Sequence, residues 1–169
     1  MDFFETVRSR ASVRAFDACV ITKDELLSIL DAGRRAPTGY NRQPWEFIAI
    51  QDADILRQLA EIQSCIGEAS AAIAVVVDEE GTKFWKEDAA AAIENMLLAV
   101  TALGYASLWI EGYVLKSEQK AKDILGVPDS KRLLAILPIG LPSGTPEQAE
   151  KKPLSEMVHR DRYGRPWSD

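Results

Sequence analysis

Two short stretches carry residue types suited to holding a ligand. The first is RSRASVRAF, in which Arg8, Arg10 and Arg14 alternate with Ser9 and Ser12. Guanidinium forks beside a hydroxyl are the groups that fix a phosphate in one geometry. Val13 and Phe16 should anchor the stretch to the core and so give Arg14 a definite direction. The competing reading is a solvated basic segment. The second stretch is APTGYNRQPWEF, Ala36 to Phe47. Pro37 stops the preceding helix, because the residue before a proline is pushed out of the helical region, and Gly39 permits positive φ or close approach to a ligand. Asn41 and Gln43 offer amide donors and acceptor carbonyls that suit a flat ring with alternating donors and acceptors. Ordering such a loop costs conformational entropy. Either a ligand fixes it, or it is an ordinary helix-to-strand connection anchored by Trp45.

Other chemistries find little support. The one histidine, His159, lies in the polar stretch HRDRYG, so a Ser-His-Asp or Cys-His apparatus would depend on it alone. Cys19 and Cys65 are far apart with no CxxC spacing, which suggests free thiols in a reducing compartment rather than zinc or a disulfide framework. A formal net charge of −6 and a pI near 4.9 argue against nucleic acid or an anionic membrane as main partner. The start, MDFFETVRSR, lacks the pattern of a signal peptide, and the apolar runs are too short or too interrupted to span a bilayer, so a cytoplasmic protein is expected. Neither GxGxxG nor GxxxxGK[ST] occurs.

The elements that must position these residues fit one domain of 169 residues. Asp2 to Arg8 reads as a short amphipathic helix with Phe3, Phe4 and Val7 on one side. Thr22-Lys-Asp-Glu25 is a capping box that opens a helix running to about Arg35. Glu46 to Gln51 reads as a strand, Asp54 to about Ile66 as a helix, and Ala72 to Asp78 as a strand buried on both faces. From about Thr82 to Leu103 an alanine-rich helix is apolar almost all round, which points to burial in a dimer interface. YASLWIEGYV follows as a short strand running into Glu111-Gly112. Ser117 should cap a helix that Gly126 closes, and Leu133 to Ile139 is a further buried strand. The remainder, with isolated apolar anchors at Leu154, Met157, Val158 and Trp167, reads as a tail laid over a neighbour. The predicted fold class is α+β, a mixed and largely antiparallel sheet flanked by helices.

In this order and spacing, RSRASVRAF, APTGYNRQPWEF, the alanine-rich helix followed by LGYASLWIEG, and KKPLSEMVHRDRYG resemble the short form of the FMN-dependent nitroreductase family. The resemblance covers nearly the whole chain. It implies an intertwined homodimer with FMN in the interface, and a tail from about residue 145 wrapping the partner subunit. Arg10 and Ser12 match the phosphate-side contacts, with Ala11 between them where many relatives carry histidine. Arg14 matches the basic residue near the flavin pyrimidine. Pro37, Thr38, Gly39 and Asn41 match the loop that reaches the flavin of the other subunit, with Thr38 where many relatives carry serine. Ile110, Glu111 and Gly112 match the turn whose backbone approaches flavin N5, and Lys151 or Lys152 matches a C-terminal phosphate contact. No second basic residue appears between Gln58 and Ser70.

The implied chemistry is hydride transfer from NADH or NADPH to N5 and on to a nitroaromatic, quinone or similar small acceptor, in a ping-pong cycle. No protein acid or base is required, and Arg14 gives electrostatic support to the negative charge that reduction places at N1 and C2=O. The alternatives within this resemblance are an FMN carrier or sensor, or a divergent member such as a dehalogenase or flavin-modifying enzyme.

Overall fold

The computed structural model describes residues 1–167. In chain order the elements are α1 (Phe3–Ser9), β1 (Phe16–Asp17), α2 (Lys23–Arg34), β2 (Trp45–Ile50), α3 (Ala53–Leu59), β3 (Ala71–Val77), α4 (Trp85–Ala102), β4 (Ala106–Ser107), α5 (Gly112–Lys116), α6 (Glu118–Leu125) and β5 (Arg132–Pro142). The strands form one antiparallel sheet in the order β1-β5-β3-β2, with β4 also paired to β5. The α+β class and the largely antiparallel sheet expected from the sequence are therefore present.

β3 sits between β2 and β5 and is buried along its whole length, as its unbroken β-branched and alanine run requires. Alternation sends Ile73, Val75 and Val77 to one face and Ala72, Ala74 and Val76 to the other. The first face packs on α2 and α4 through Ile29, Ile93, Met96 and Val100. The second packs under α3, α5 and α6 through Leu56, Leu59, Val114 and Ala121. One sheet thus carries a core on each side. A register shift opposite Val75 and Val76 leaves Leu134 unpaired near the start of β5, and the last residues of β5 pair with β1 and β4.

Thr22 forms the expected capping box with Glu25 and opens α2. Other expectations need correction. α3 ends at Leu59 and does not reach Ile66; the chain turns and re-forms a single 3-10 turn at Ser64–Ile66. Ile62 and Ile66 are buried in either conformation, so their spacing does not distinguish the two. α4 begins at Trp85 rather than Thr82, because Thr82 bonds the Phe84 amide in a turn. The strand expected to run from Tyr105 into Glu111-Gly112 is only two residues long, and Gly112–Lys116 is helical. Phe3, Phe4 and Val7 lie exposed on α1, whose buried residue is Thr6. Gly126 closes α6 in the left-handed conformation as expected, whereas the Ser117 side chain makes no capping bond.

Glu118, the first residue of α6, instead ties that helix to β5. Its carboxylate accepts from Arg132 Nε at 2.8 Å, from Arg132 Nη2 at 2.9 Å and from the Leu133 amide at 3.0 Å. The Arg132 bonds, ahead of the Leu133 amide, hold the Glu118 pKa below its ordinary value of 4.5. A carboxylate lowered in the folded state contributes stability above its unfolded pKa and loses it as pH falls through the folded value. Glu118→Gln should therefore cost roughly 1–3 kcal/mol at neutral pH and lose less stability than wild type on acidification below pH 4.5. Urea denaturation across pH checks both, and parallel acid limbs for the two proteins would contradict the assignment.

Candidate functional site

The arginine-rich segment follows directly from the end of α1. Its backbone is extended: Ser12 bridges Ser107 in parallel, the Val13 amide donates to the Ser107 carbonyl at 3.0 Å, and Phe16 enters the sheet as part of β1. Phe16 is buried and Val13 packs against the core beside it, so Arg14 is held between two anchors as the sequence suggests. Ala11 is buried and lines one hollow with Arg8, Ser9 and Tyr105. Residues 12–15, Ser12 and Arg14 among them, line another, of about 380 Å³, with residues 142–147 on its other side. Arg10 reaches Glu94 of α4 with 3.8 Å between Nε and Oε1. Among the described residues Arg14 makes no ion pair, and its charge is felt by the thiol of Cys65. Burial, then Glu68, pushes that thiol up, while Arg14 and Gln63 pull the other way. The polar side chains that the Gln58–Ser70 stretch brings near the Cys65 thiol are thus Glu68 and Gln63, neither of them a second cation. Nothing in their sequence context marked them.

The loop after α2 is held by unusual means. Thr38 precedes a 3-10 turn over Gly39–Asn41, and Tyr40, Asn41 and Gln43 all have positive φ, at 55°, 55° and 48°. Non-glycine residues in this region cost roughly 1 kcal/mol or more each, with asparagine the mildest. Gly39 itself is not left-handed. Its lack of a side chain is explained by Phe84, whose Cδ2 lies 2.6 Å from where a Cβ would stand. The positive φ expected of Gly39 falls on its successors instead. The Gly39 amide donates to Asp88 Oδ1 at 2.8 Å, and the Gln43 amide donates to Thr38 Oγ1 at 3.3 Å. Gln43 Nε2 is occupied by the carbonyl and side-chain oxygens of Asn41, at 3.3 and 3.2 Å. Asn41 and Tyr40 remain exposed, while Trp45 is the buried anchor of the loop's far end.

The third place is the turn at Ile110–Gly112. Ile110 is locked to Ile136 by two backbone bonds of 3.1 and 3.0 Å. Glu111 lines a hollow of about 300 Å³ with Lys86, Glu87 and Trp109, and the Trp109 Nε1 is buried with no acceptor among the described residues. A Cβ on Gly112 would meet nothing within 4 Å, and its φ lies outside the left-handed range. Neither crowding nor conformation within the chain calls for glycine here, so the open backbone is available to something outside it.

Lys151 and Lys152 are exposed in the tail. Gln148 Nε2 donates to the carbonyls of Val7 and Arg10 at 3.2 and 3.0 Å, which fixes where the tail leaves the body. At about 3.3–3.6 Å per residue, Lys151 stays within roughly 11 Å of that point, on the side of the molecule where Arg10 lies. His159 is exposed, with its ring centroid 4.5 Å from that of Tyr163.

One chain therefore does not gather the predicted residues into one cleft. Ser12 and Arg14 share a hollow, Thr38 to Asn41 hang on Asp88, and Glu111 lines a third surface. Asp88 and Glu94 hold two of these groups from the same helix, six residues apart, which is about 9 Å along the axis and on a different face. The donor set fits FMN: free or weakly paired guanidinium groups and a hydroxyl for a phosphate and a charged ring edge, an exposed amide on Asn41, and open backbone at Gly112. Among the described residues no group of three or more His, Cys, Asp or Glu could hold a metal. Gly112→Ala should leave the unfolding midpoint unchanged or slightly raised, since alanine is favoured over glycine by up to about 1 kcal/mol in a helix, while weakening ligand uptake at least several-fold. A Gly112→Ala protein that binds FMN like wild type would show that the open backbone has no such role.

The chain is similar to known proteins over most of its length. A profile of the Nitroreductase family matches residues 7–85 and 62–141. A candidate NADH dehydrogenase/NAD(P)H nitroreductase of Archaeoglobus fulgidus is 30% identical over 167 residues, covering 93% of this chain and 96% of that one. The structure of an FMN-dependent nitroreductase from Clostridium difficile R20291 superposes with a TM-score of 0.84 at 25% identity, covering 95% of this chain and 100% of the other. A candidate nitroreductase from Desulfovibrio desulfuricans, solved in complex with FMN, gives a TM-score of 0.82 at 26% identity, with 95% and 96% covered. With both the family profile and a relative of this identity and coverage, the chain belongs to the nitroreductase family.

Proposed function

We propose that the protein is an FMN-dependent oxidoreductase that uses NADH or NADPH to reduce a small acceptor such as a nitroaromatic or a quinone, and that it works as a homodimer in the cytoplasm. The observation that carries this reading is Arg14: its backbone lies between the anchored Val13 and Phe16, it lines one hollow with Ser12, and its exposed guanidinium has no carboxylate partner among the described residues. FMN, when bound, supplies hydride transfer between a nicotinamide and an acceptor. The chain's own contribution is then binding and electrostatics. Arg14 holds the negative charge that reduction places on the ring, Arg10 and Ser12 hold the phosphate with Lys151 or Lys152, and the Ile110–Gly112 turn offers backbone to the ring. Thr38, Gly39 and Asn41 reach the site of the partner subunit, as does the tail from about residue 145 of what is otherwise a single domain.

The homodimer reading is supported by apolar surface left over in one chain. Phe3 and Phe4 are 64% and 68% exposed, and Leu154, Met157 and Trp167 of the tail are 75%, 63% and 67% exposed. Singly such residues are ordinary; gathered on α1 and along an unpacked tail they ask for a partner. An obligate interface of this kind buries more than about 2,000 Å². No helix among the described residues is long and apolar enough to cross a membrane.

The purified protein should show the absorbance of oxidised flavin and should consume NADH or NADPH when given a quinone. A colourless protein that FMN does not reconstitute would overturn the reading. In Arg14→Ala the midpoint potential of bound FMN should fall while binding remains measurable; an unchanged potential would place the guanidinium away from the ring.

A further inference from the structure

We propose that Asp88 is the positioning residue of the loop at residues 38–43: its buried carboxylate, acting through the Gly39 amide, holds that loop in the strained form that FMN requires, and so sets FMN affinity without being one of the FMN contacts. The proposal rests on the flavin reading above. Asp88 is 5% exposed and lies in the first turn of α4, where the helix N–H groups favour a carboxylate. Burying a carboxylate is costly unless hydrogen bonds replace water. Here Oδ1 accepts from Gly39 at 2.8 Å, and Oδ2 has no partner among the described residues. The neighbours Ala89 and Ala92 are fully buried in the core, so an alanine at 88 would extend the same apolar surface. A half-satisfied carboxylate in that position is a burden on packing alone, and the Gly39 bond is what it provides.

The loop's own bonds are few: two backbone turns, Asn41 to Thr38 at 3.1 Å and Arg42 to Gly39 at 3.2 Å, and the long side-chain bonds of Gln43 at 3.2 and 3.3 Å, against which Tyr40, Asn41 and Gln43 all sit at positive φ. The short bond to a charged acceptor is its strong attachment, and Phe84, four residues before Asp88 on the same turn of chain, closes on the other side of Gly39. The loop is thus gripped between one carboxylate and one ring, both carried by the start of α4. Releasing the carboxylate should let Tyr40 and Asn41 leave the left-handed region, which moves Asn41 from the place the ligand needs.

The test is limited trypsin digestion and FMN titration of wild type, Asp88→Ala and Asp88→Asn, with cutting after the exposed Arg42 followed by mass. Asp88→Ala apoprotein should be cut there at least tenfold faster than wild type and bind FMN at least tenfold more weakly. Asp88→Asn, whose amide oxygen still accepts from Gly39, should stay within about threefold of wild type in both readouts, a recovery that a general loss of stability would not produce. Equal cutting and equal affinity in Asp88→Ala, or an Asp88→Asn protein as impaired as Asp88→Ala, would overturn the proposal. Should Asp88→Ala fail to fold, hydrogen exchange of the Gly39 amide in wild-type apoprotein decides: protection of a hundredfold or more supports the anchor, and exchange at the unprotected rate overturns it. A wild type that resists cutting at Arg42 yet takes up no FMN would overturn the flavin reading, and with it the link to affinity, while leaving the anchoring established.

Discussion

Because β3 and the inner part of β5 are buried on both faces, the chain must place a helical layer on each side of a sheet only a few strands wide. α4 is the helix that closes one of those faces. Ala89, Ala92, Ile93 and Met96 are all fully buried on it, and the two alanines let its backbone come close to the strands. A helix fixed this firmly by the core is a rigid carrier for whatever projects from its other faces. It carries Asp88 to the Gly39 amide and Glu94 to Arg10, so the same packing that makes the fold also sets the positions of two segments far from it in sequence.

Charge is distributed in the same spirit. With 26 acidic residues against 20 basic ones, many cations have an acid at hand. Arg34 and Arg35 share Asp31, Arg132 is held by Glu79 and Glu118, and Arg160 and Arg165 both meet Asp161. Arg14 sits on backbone anchored by Val13 and Phe16 and makes no ion pair among the described residues. In an acidic chain, an unpaired cation creates a local positive field suited to an anionic ligand edge.

Much of this was legible in the sequence where a single local interaction decides the outcome. The Thr22–Glu25 capping box, the left-handed Gly126 and the doubly buried β3 each follow from chemistry within a few residues. Where distant parts of the chain decide, the sequence was silent or misleading. The spacing of Ile62 and Ile66 suits a continuous helix, yet burial is reached by a turn after Leu59. Ser117 has the right side chain for a cap but a backbone that does not aim it. At the site, the arginine and amide residues were recognisable as types. That Gly39 is glycine because of Phe84 and that Asp88 grips its amide depend on contacts between residues tens of positions apart.

On the proposed reading the ligand site is completed by two chains, since in one chain Ser12 and Arg14 line a hollow that the loop at Thr38 to Asn41 does not. The most direct measurement is FMN content in a mixed dimer built from two defective chains. One chain would carry Arg10→Glu with Arg14→Glu, the other Thr38→Trp with Asn41→Trp, each unable to bind FMN as a homodimer. A site shared between subunits predicts that the mixed dimer regains one intact site and holds about one FMN, since both lesions fall together in the other site. A mixed dimer that holds none would show that each chain builds its site alone.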